Sequence, residues 1–139
     1  MANVSPDLLW GMVKDSSCFL KKKKISGRSG MGKTGIQFTS EPNNIKGINS
    51  FKFSGLANTK AVGITAAPDN KGIVLTKKIT KADRARKPSK MLVKTTLSKG
   101  FRRVAKAIKA ETEGSYYRAD LTSAALAKWS LIYASQKKK

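Results

Sequence analysis

Positive charge is the feature that most restricts how this chain can fold. Its 139 residues contain 29 lysines and arginines against eight aspartates and glutamates, so the formal net charge is +21. A compact chain with this charge repels itself, and we expect a stable fold to depend on a polyanion that neutralises the surface. Nucleic acid is the expected polyanion, and an anionic membrane surface is the alternative.

Two residue counts limit the chemistry of the chain. Cys18 is the single cysteine, which excludes an intramolecular disulfide and indicates a reducing compartment. Histidine is absent, so the commonest general base and the commonest zinc ligand are both missing. We therefore expect no enzymatic activity, no cofactor or metal and no small-molecule substrate. The length fits one domain, and 40 % hydrophobic residues are enough for a modest core.

Signals of a membrane or secreted protein are also missing from the sequence. No segment approaches the roughly 18 consecutive apolar residues of a membrane span. Asp7 and Asp15 bracket the short apolar patch near the N-terminus, where a secretory signal would carry basic residues. We expect a soluble intracellular protein that binds no membrane.

Apolar periodicity predicts an α+β fold, with a small antiparallel β-sheet, an N-terminal helix, two C-terminal helices and a basic extended loop and arm. Ser5 and Pro6 are typical of a helix start, and an apolar stripe follows within Leu8–Val13. Trp10 lies off this stripe, either as a second packing face or as a residue that stacks on RNA.

The stretch Phe38–Leu56 predicts a short strand, a turn and a longer strand. Pro42–Asn44 supply the turn, because proline fixes its own φ and asparagine tolerates unusual backbone angles. Phe51 and Phe53 would then share one strand face, either in the core or stacked on RNA. The turn asparagines are interpreted as turn formers rather than residues that read bases.

Two alternating segments follow and complete a predicted antiparallel meander. They cover residues 62–66 and 73–79, and the Pro68–Gly72 segment between them is a strong turn signal. Polar residues at alternate positions indicate that one face of this sheet is buried and the other is not.

Basic residues are densest between residues 77 and 109, where thirteen lysines and arginines stand against one acid. Residues 81–95 lack a sustained periodicity and contain a proline, which predicts an extended basic arm that orders on RNA. Within a single domain, this arm would separate the N-terminal helix and sheet, residues 1–80, from a helical pair at residues 96–136.

The helical pair is predicted from caps and spacing. Thr96 would cap the first helix, in which Leu97 and Ile108 belong to one apolar face and lysines and arginines cover the rest. A second helix would start at about Asp120. The first helix has no compensating acid before Glu111, which favours a surface that faces phosphate over one that is merely solvated.

One motif points to a different class of protein. Gly27–Thr34 matches the phosphate-binding pattern G-x-x-x-x-G-K-[ST], in which Lys33 would reach the phosphates and Thr34 a magnesium ion. That mechanism needs a helix directly after the loop, whereas Gly35–Thr39 is rich in β-branched and aromatic residues. An apolar strand that ends in a metal-binding aspartate is missing as well. We therefore disfavour nucleotide hydrolysis and interpret the match as a basic, glycine-rich loop.

Blocks of sequence along nearly the whole chain point to a known family. The most specific are Ser40–Asn44 and Asn49–Leu56. The shorter ones are Leu9-Trp10, Ser17–Leu20, Lys60–Gly63, Asp69–Val74 and Tyr117–Leu121. Together they resemble protein twenty-eight of the eukaryotic large ribosomal subunit. The resemblance implies a structural protein bound to large-subunit ribosomal RNA, without catalysis.

The sequence departs from this resemblance in two places. The segment 25–37, which contains the phosphate-loop match, resembles nothing in the family and is interpreted as an insertion. The lysine- and arginine-rich C-terminal extension associated with the family is reduced here to three lysines. Contacts that depend on these two segments are not carried over.

The leading hypothesis is a structural constituent of the cytoplasmic large ribosomal subunit that passes through the nucleolus during assembly. Its expected partners are large-subunit ribosomal RNA and neighbouring ribosomal proteins, and it is not expected to pair with a second copy of itself. The alternatives are a nucleolar assembly factor, another RNA-binding protein or a DNA-packaging protein. The expected RNA-binding residues are Lys21, Lys22, Lys23, Lys24, Arg28, Lys33, Asn43, Asn44, Lys46, Lys52, Lys77, Lys78, Arg84, Arg86, Lys87, Lys90, Lys94, Arg102, Arg103, Lys106 and Lys109.

Overall fold

The computed structural model describes residues 4–21, 36–81 and 87–137. Its helices are α1 (Pro6–Val13), α2 (Phe101–Lys109) and α3 (Thr122–Lys137), and its strands are β1 (Leu20–Lys21), β2 (Phe38–Thr39), β3 (Val62–Ala66), β4 (Ile73–Lys78) and β5 (Leu92–Leu97). β1 and β2 form a two-stranded antiparallel sheet, and β3, β4 and β5 form a three-stranded one in that order. The predicted α+β fold, with one N-terminal and two C-terminal helices, is confirmed. Within the described ranges, no helix combines the length and the apolar character needed to cross a membrane.

The three-stranded sheet has one apolar face because its strands pair in matching alternation. Ile64 lies opposite Leu75, and Ile73 lies opposite Leu97, so apolar side chains from all three strands share this face. Ile64, Ile73 and Leu75 are buried there together with Val62. They form a single core cluster with apolar residues of α2 and α3, so the helical pair covers this face of the sheet.

Trp129 lies at the centre of that core. Its side chain is buried in one cluster with Val104 and Ile108 of α2. Its indole N–H donates to the carbonyl oxygen of Phe101 at 3.3 Å, and its ring stacks on the Phe101 ring with centroids 5.6 Å apart. Tyr133 joins them, with its ring centroid 5.0 Å from that of Phe101. This aromatic cluster joins the start of α2 to α3.

Helix α1 begins where the sequence predicts, but its apolar stripe is not buried. The Ser5 hydroxyl oxygen accepts a hydrogen bond from the Leu8 amide at 3.3 Å, as an N-cap does. No residue of α1 is buried, and Leu8 and Met12 are exposed. Trp10 contacts Phe51 instead, with ring centroids 6.0 Å apart. The contact supports a packing role for Trp10.

The prediction of a longer strand after the Pro42–Asn44 turn is wrong. Phe51–Phe53 form a 3-10 turn instead, so the two phenylalanines do not share a strand face. The Asn58 side-chain amide donates to the carbonyl oxygens of Phe51 at 2.6 Å and of Ser54 at 2.9 Å. A nearby side chain thus satisfies backbone groups that a strand would pair with its neighbour.

The third strand of the sheet, β5, forms where a basic arm and the start of a helix were predicted. Pro88–Lys90 form a 3-10 turn, and β5 then pairs along the whole of β4. β5 occupies the end of the predicted basic arm and the expected first turn of a helix. Its β-branched residues Val93, Thr95 and Thr96 favour a strand, and the high lysine content of the surrounding sequence obscured that signal.

The C-terminal helical pair is confirmed, with one shift in position. Helix α2 begins at Phe101 after Gly100 as N-cap, so the predicted start at Thr96 is wrong. A 3-10 turn at Ala119–Leu121 leads into α3, in agreement with a second helix predicted from about Asp120.

Truncation of Trp129 tests the core. Trp129→Ala should lower the free energy of unfolding by about 3 to 5 kcal/mol, because removing a large buried ring leaves a cavity. Leu131→Ala, on the same helix at a position that is 69 % exposed, is the matched control and should change it by at most about 0.5 kcal/mol. Urea unfolding followed by circular dichroism measures both, and equal losses would contradict the assignment of Trp129 to the core.

Candidate RNA-binding surface

A dense group of exposed cations lies on α2 and the turn before it. Because α2 buries Val104 and Ile108, its polar positions are left on the outer side of the helix. We call the exposed cations of this region the α2 basic surface, and its members are Lys99, Arg102, Arg103, Lys106 and Lys109. Within the described part of the chain, none of them makes a salt bridge with an acid. The α2 basic surface therefore carries an uncompensated positive charge.

A groove of about 340 Å³ lies between the α2 basic surface and the end of β5. Its lining includes the hydroxyl-bearing residues Thr96 and Ser98 and the cations Lys99, Arg103 and Lys106. Phosphate oxygens only accept hydrogen bonds and carry negative charge, so hydroxyl donors beside cations match a nucleic-acid backbone.

Four other predicted cations are exposed at separate places in the fold. Lys21 is the last residue of β1, and Lys87 and Lys90 lie at the 3-10 turn before β5. Lys94 lies opposite Thr76 in the sheet, on the face away from the α2 and α3 helices. All four are exposed, and their binding of RNA stays a prediction.

Lys77 is already paired with an acid. Its Nζ lies 2.6 Å from Oε2 of Glu111 and donates to the Glu111 carbonyl oxygen at 3.2 Å. The same ammonium group lies 4.8 Å from the centroid of the Tyr117 ring. The contacts with Glu111 and Tyr117 weaken the attraction between Lys77 and a phosphate.

Lys78 joins the sheet to the preceding loop. Its Nζ donates to the carbonyl oxygens of Asn58 at 2.9 Å and of Gly55 at 3.3 Å. Burial lowers the pKa of Lys78, and the negative charge of Glu41 partly opposes that shift. These contacts favour a structural role for Lys78 over the predicted contact with RNA.

Asn43 and Asn44, in the Pro42–Asn44 turn, stabilise the backbone around them. Asn43 has a φ of 62°, an angle that asparagine tolerates better than most residues. The Asn44 side chain accepts from the Gly47 amide at 2.8 Å and donates to the Ile48 carbonyl oxygen at 2.9 Å. Asn43 packs so closely on β3 that a Cβ at Gly63 would lie 2.5 Å from its Oδ1. This geometry supports turn formation as their role.

Lys46 and Lys52 both lie near one aromatic ring. Their Nζ atoms are 5.1 Å and 5.8 Å from the centroid of Phe53. Such cation–π contacts are weak at an exposed position, and both lysines are exposed. Both lysines therefore remain available to a partner. In the sequence they precede β3, far from the α2 basic surface.

Arg118, which had no predicted role, holds several segments together. Its Nη1 donates to the Lys60 carbonyl oxygen at 2.8 Å, and its Nη2 donates to the Lys52 carbonyl oxygen at 2.7 Å. Its Nε also forms a salt bridge with Oδ1 of Asp120 at 2.8 Å. The hydrogen bond from Arg118 lowers the pKa of the Asp120 carboxyl. The only sequence signal was that Arg118 lies in one of the blocks that carry the family resemblance.

Tyr117 is a second anchor that sequence reasoning did not assign. Its hydroxyl accepts from the Ala61 amide at 3.1 Å and donates to the Lys78 carbonyl oxygen. Burial raises the pKa of the Tyr117 phenol, and its hydrogen bonds to the backbone oppose that shift. Tyr117 thus fastens the chain after α2 to the open end of the β3–β4 hairpin.

Some predicted features lie outside the described residues. They are the phosphate-loop match at Gly27–Thr34, residues 25–35 of the insertion, and the predicted RNA-binding residues Lys22, Lys23, Lys24, Arg28, Lys33, Arg84 and Arg86. Their proposed roles stay predictions.

Comparison with known proteins identifies the family. The sequence profile of the Ribosomal L28e protein family matches residues 8–135. The chain is 38 % identical to large ribosomal subunit protein eL28 of Schizosaccharomyces pombe over 138 residues, which cover 99 % of this chain and 96 % of that relative. It is 37 % identical to the protein of the same name in Caenorhabditis elegans, over 74 % of each chain. The Dictyostelium discoideum protein is 32 % identical over 88 % of this chain and 82 % of its own. The chain therefore belongs to the Ribosomal L28e family, which confirms the resemblance.

The Arg118–Asp120 pair predicts a pH-dependent contribution to stability. The folded-state pKa of Asp120 lies below its usual value of 3.8. Its contribution is therefore present above pH 3.8 and is lost as the pH falls through the folded-state pKa. Asp120→Asn should lower the free energy of unfolding near neutral pH, and the difference from wild type should shrink as the pH drops below 3.8. Urea unfolding at a series of pH values measures this difference, and a gap independent of pH would contradict the assignment.

Proposed function

We propose that this protein is a structural constituent of the large ribosomal subunit and binds its ribosomal RNA mainly through the α2 basic surface. Membership of the Ribosomal L28e family supports the ribosomal role, since the three curated relatives are large ribosomal subunit proteins. The observation that carries the RNA-binding role is the α2 basic surface itself, with its five exposed cations and no acid paired to them among the described residues.

Counterion release explains how such a surface binds. Ribosomal RNA holds a layer of condensed cations, and each protein cation that neutralises a phosphate releases part of that layer. The groove beside α2 adds hydroxyl donors from Thr96 and Ser98, which position a backbone without reading its sequence. Neutralisation also relieves the self-repulsion of a chain with a net charge of +21. Binding should therefore stabilise the folded chain as well as hold it on the RNA.

We infer a structural role without catalysis, in contact with ribosomal RNA and neighbouring ribosomal proteins. Membership of a ribosomal protein family supports that role. The protein would work in cytoplasmic ribosomes after passing through the nucleolus, where large subunits assemble.

Salt dependence tests the α2 basic surface. Arg103→Gln should make the plot of log K against log salt concentration less steep by about 0.7 to 0.9, the loss of one phosphate contact. Lys14→Gln, at the C-cap of α1, removes the same charge elsewhere and should leave the slope unchanged. Filter binding to overlapping transcripts of large-subunit ribosomal RNA, with small-subunit transcripts as competitor, measures both. Equal changes for the two variants would show that net charge alone, rather than the α2 basic surface, drives binding.

Sedimentation tests the ribosomal role. A tagged copy of the chain should sediment with free large subunits and with translating ribosomes in a sucrose gradient, because a structural constituent stays in the particle. Puromycin, which releases translating ribosomes, should move the tag from the polysome fractions to lighter ones. Presence in nuclear precursor particles alone would identify an assembly factor and would contradict the proposal.

A further inference from the structure

Tyr116 is held outside the protein in a conformation that tyrosine rarely adopts. The residue is 88 % exposed, and its φ is 49°. Among the described residues, the other non-glycine positions with a positive φ are Asn43 and Asn70, and asparagine tolerates this region while tyrosine is disfavoured there. Because the residue is exposed, packing does not explain why it is a tyrosine, and the backbone angle disfavours a tyrosine at this position.

The backbone around Tyr116 is fixed on both sides. A π-helical turn, Ala110–Gly114, extends α2 up to this loop, and the Tyr116 amide then donates back into that turn, to the carbonyl oxygen of Glu113 at 3.0 Å. The amides of Tyr117 and Arg118 both donate to the carbonyl oxygen of Thr112, at 3.1 Å and 3.3 Å. The two residues after Tyr116 are also the two anchors of the fold. The ring is therefore displayed from a well-supported loop.

Among the described residues, Lys60 is a cation near this loop without a salt bridge to an acid, whereas Lys77 is paired with Glu111. Lys60 lies 5.6 Å and Lys77 lies 4.8 Å from the centroid of the neighbouring Tyr117 ring. The preceding turn contains two acids, Glu111 and Glu113. Lys77 neutralises Glu111, and Glu113 makes no salt bridge with a described residue. The same helical segment carries the α2 basic surface up to Lys109. An RNA strand held by that surface would reach the exposed ring at the end of the segment.

We propose that Tyr116 is a stacking platform for an unpaired RNA base. The proposal rests on the proposed binding of ribosomal RNA and adds a contact to the base, which the α2 basic surface does not supply. An aromatic face stacks on any of the four bases, so this contact tolerates different sequences but requires a base that is not in a duplex. Lys60, which is exposed and lies beside the neighbouring Tyr117 ring, would contact a phosphate next to such a base. Tyr116 would thus distinguish a single-stranded loop or bulge from a continuous helix.

Two substitutions separate stacking from folding. Tyr116→Asn removes the ring and supplies a residue that accepts the positive φ, so the variant should be at least as stable as wild type in urea unfolding. Its affinity for the tightest-binding large-subunit transcript should nevertheless fall about 10-fold, the usual effect of losing one base–aromatic stack. Tyr116→Phe keeps the ring and should bind within about twofold of wild type. Neither variant changes a charge, so the salt slope should stay as in wild type.

Cross-linking gives an independent readout on the full-length chain. The same transcript containing 4-thiouridine should cross-link to Tyr116 under ultraviolet light, as located by mass spectrometry of the digested complex. Leu131→Ala, which removes another exposed apolar side chain, is the control and should bind as wild type does.

The outcomes distinguish this proposal from the proposed function. If the transcript binds wild type and Tyr116→Asn equally, without a cross-link at Tyr116, base stacking is wrong and the binding of ribosomal RNA stands. If wild type binds no large-subunit transcript, both base stacking by Tyr116 and the proposed binding of ribosomal RNA are wrong. If Tyr116→Asn keeps its RNA affinity but no longer sediments with large subunits, Tyr116 contacts a protein neighbour, which also overturns base stacking.

Discussion

Two neighbouring side chains, Tyr117 and Arg118, fasten the loop before β3 and the β3–β4 hairpin to the chain that follows α2, in addition to the core that the sheet and the helices share. The Tyr117 hydroxyl bonds to the backbone of Ala61 and Lys78, where the β3–β4 hairpin opens. The Arg118 guanidinium reaches carbonyl oxygens of the loop before β3, including that of Lys60. The fork of an arginine supplies several hydrogen-bond donors from one side chain. The loop, the sheet and the helical pair therefore share one body despite a strong net charge.

Three of the eight acids of the chain help to hold that body together. The buried Glu41 carboxylate accepts hydrogen bonds from the Ser54 hydroxyl and the Leu56 amide. Asp120 pairs with Arg118, and Glu111 pairs with a lysine of β4. These acids are therefore not available to neutralise the α2 basic surface. Because acids are scarce, the chain repels itself and the α2 basic surface stays free for phosphate. The stability of the fold is thus linked to its proposed partner.

Local signals in the sequence were good predictors wherever a few neighbouring residues decide the conformation. The Ser5 cap, the Pro42–Asn44 turn and the Pro68–Gly72 turn all form where expected, because each depends on side chains within a few positions. The predictions of a strand at Phe51–Phe53 and of an arm and a helix start over β5 are wrong. In both cases a distant or competing partner decides the outcome: the Asn58 amide holds the first segment in a turn, and pairing with β4 makes the second a strand.

The sequence by itself determined the family, the α+β class and the demand for a polyanionic partner, since these follow from composition and from local motifs. Only the tertiary structure decided how each cation is used. Lys78 and Arg103 are both basic residues in the sequence, yet the first is bound to loop carbonyl oxygens and the second lines an open groove. The physical reason is that the environment of a charge depends on residues far away in the chain. For the same reason the exposure of Tyr116 became visible only after its neighbours were placed in the fold.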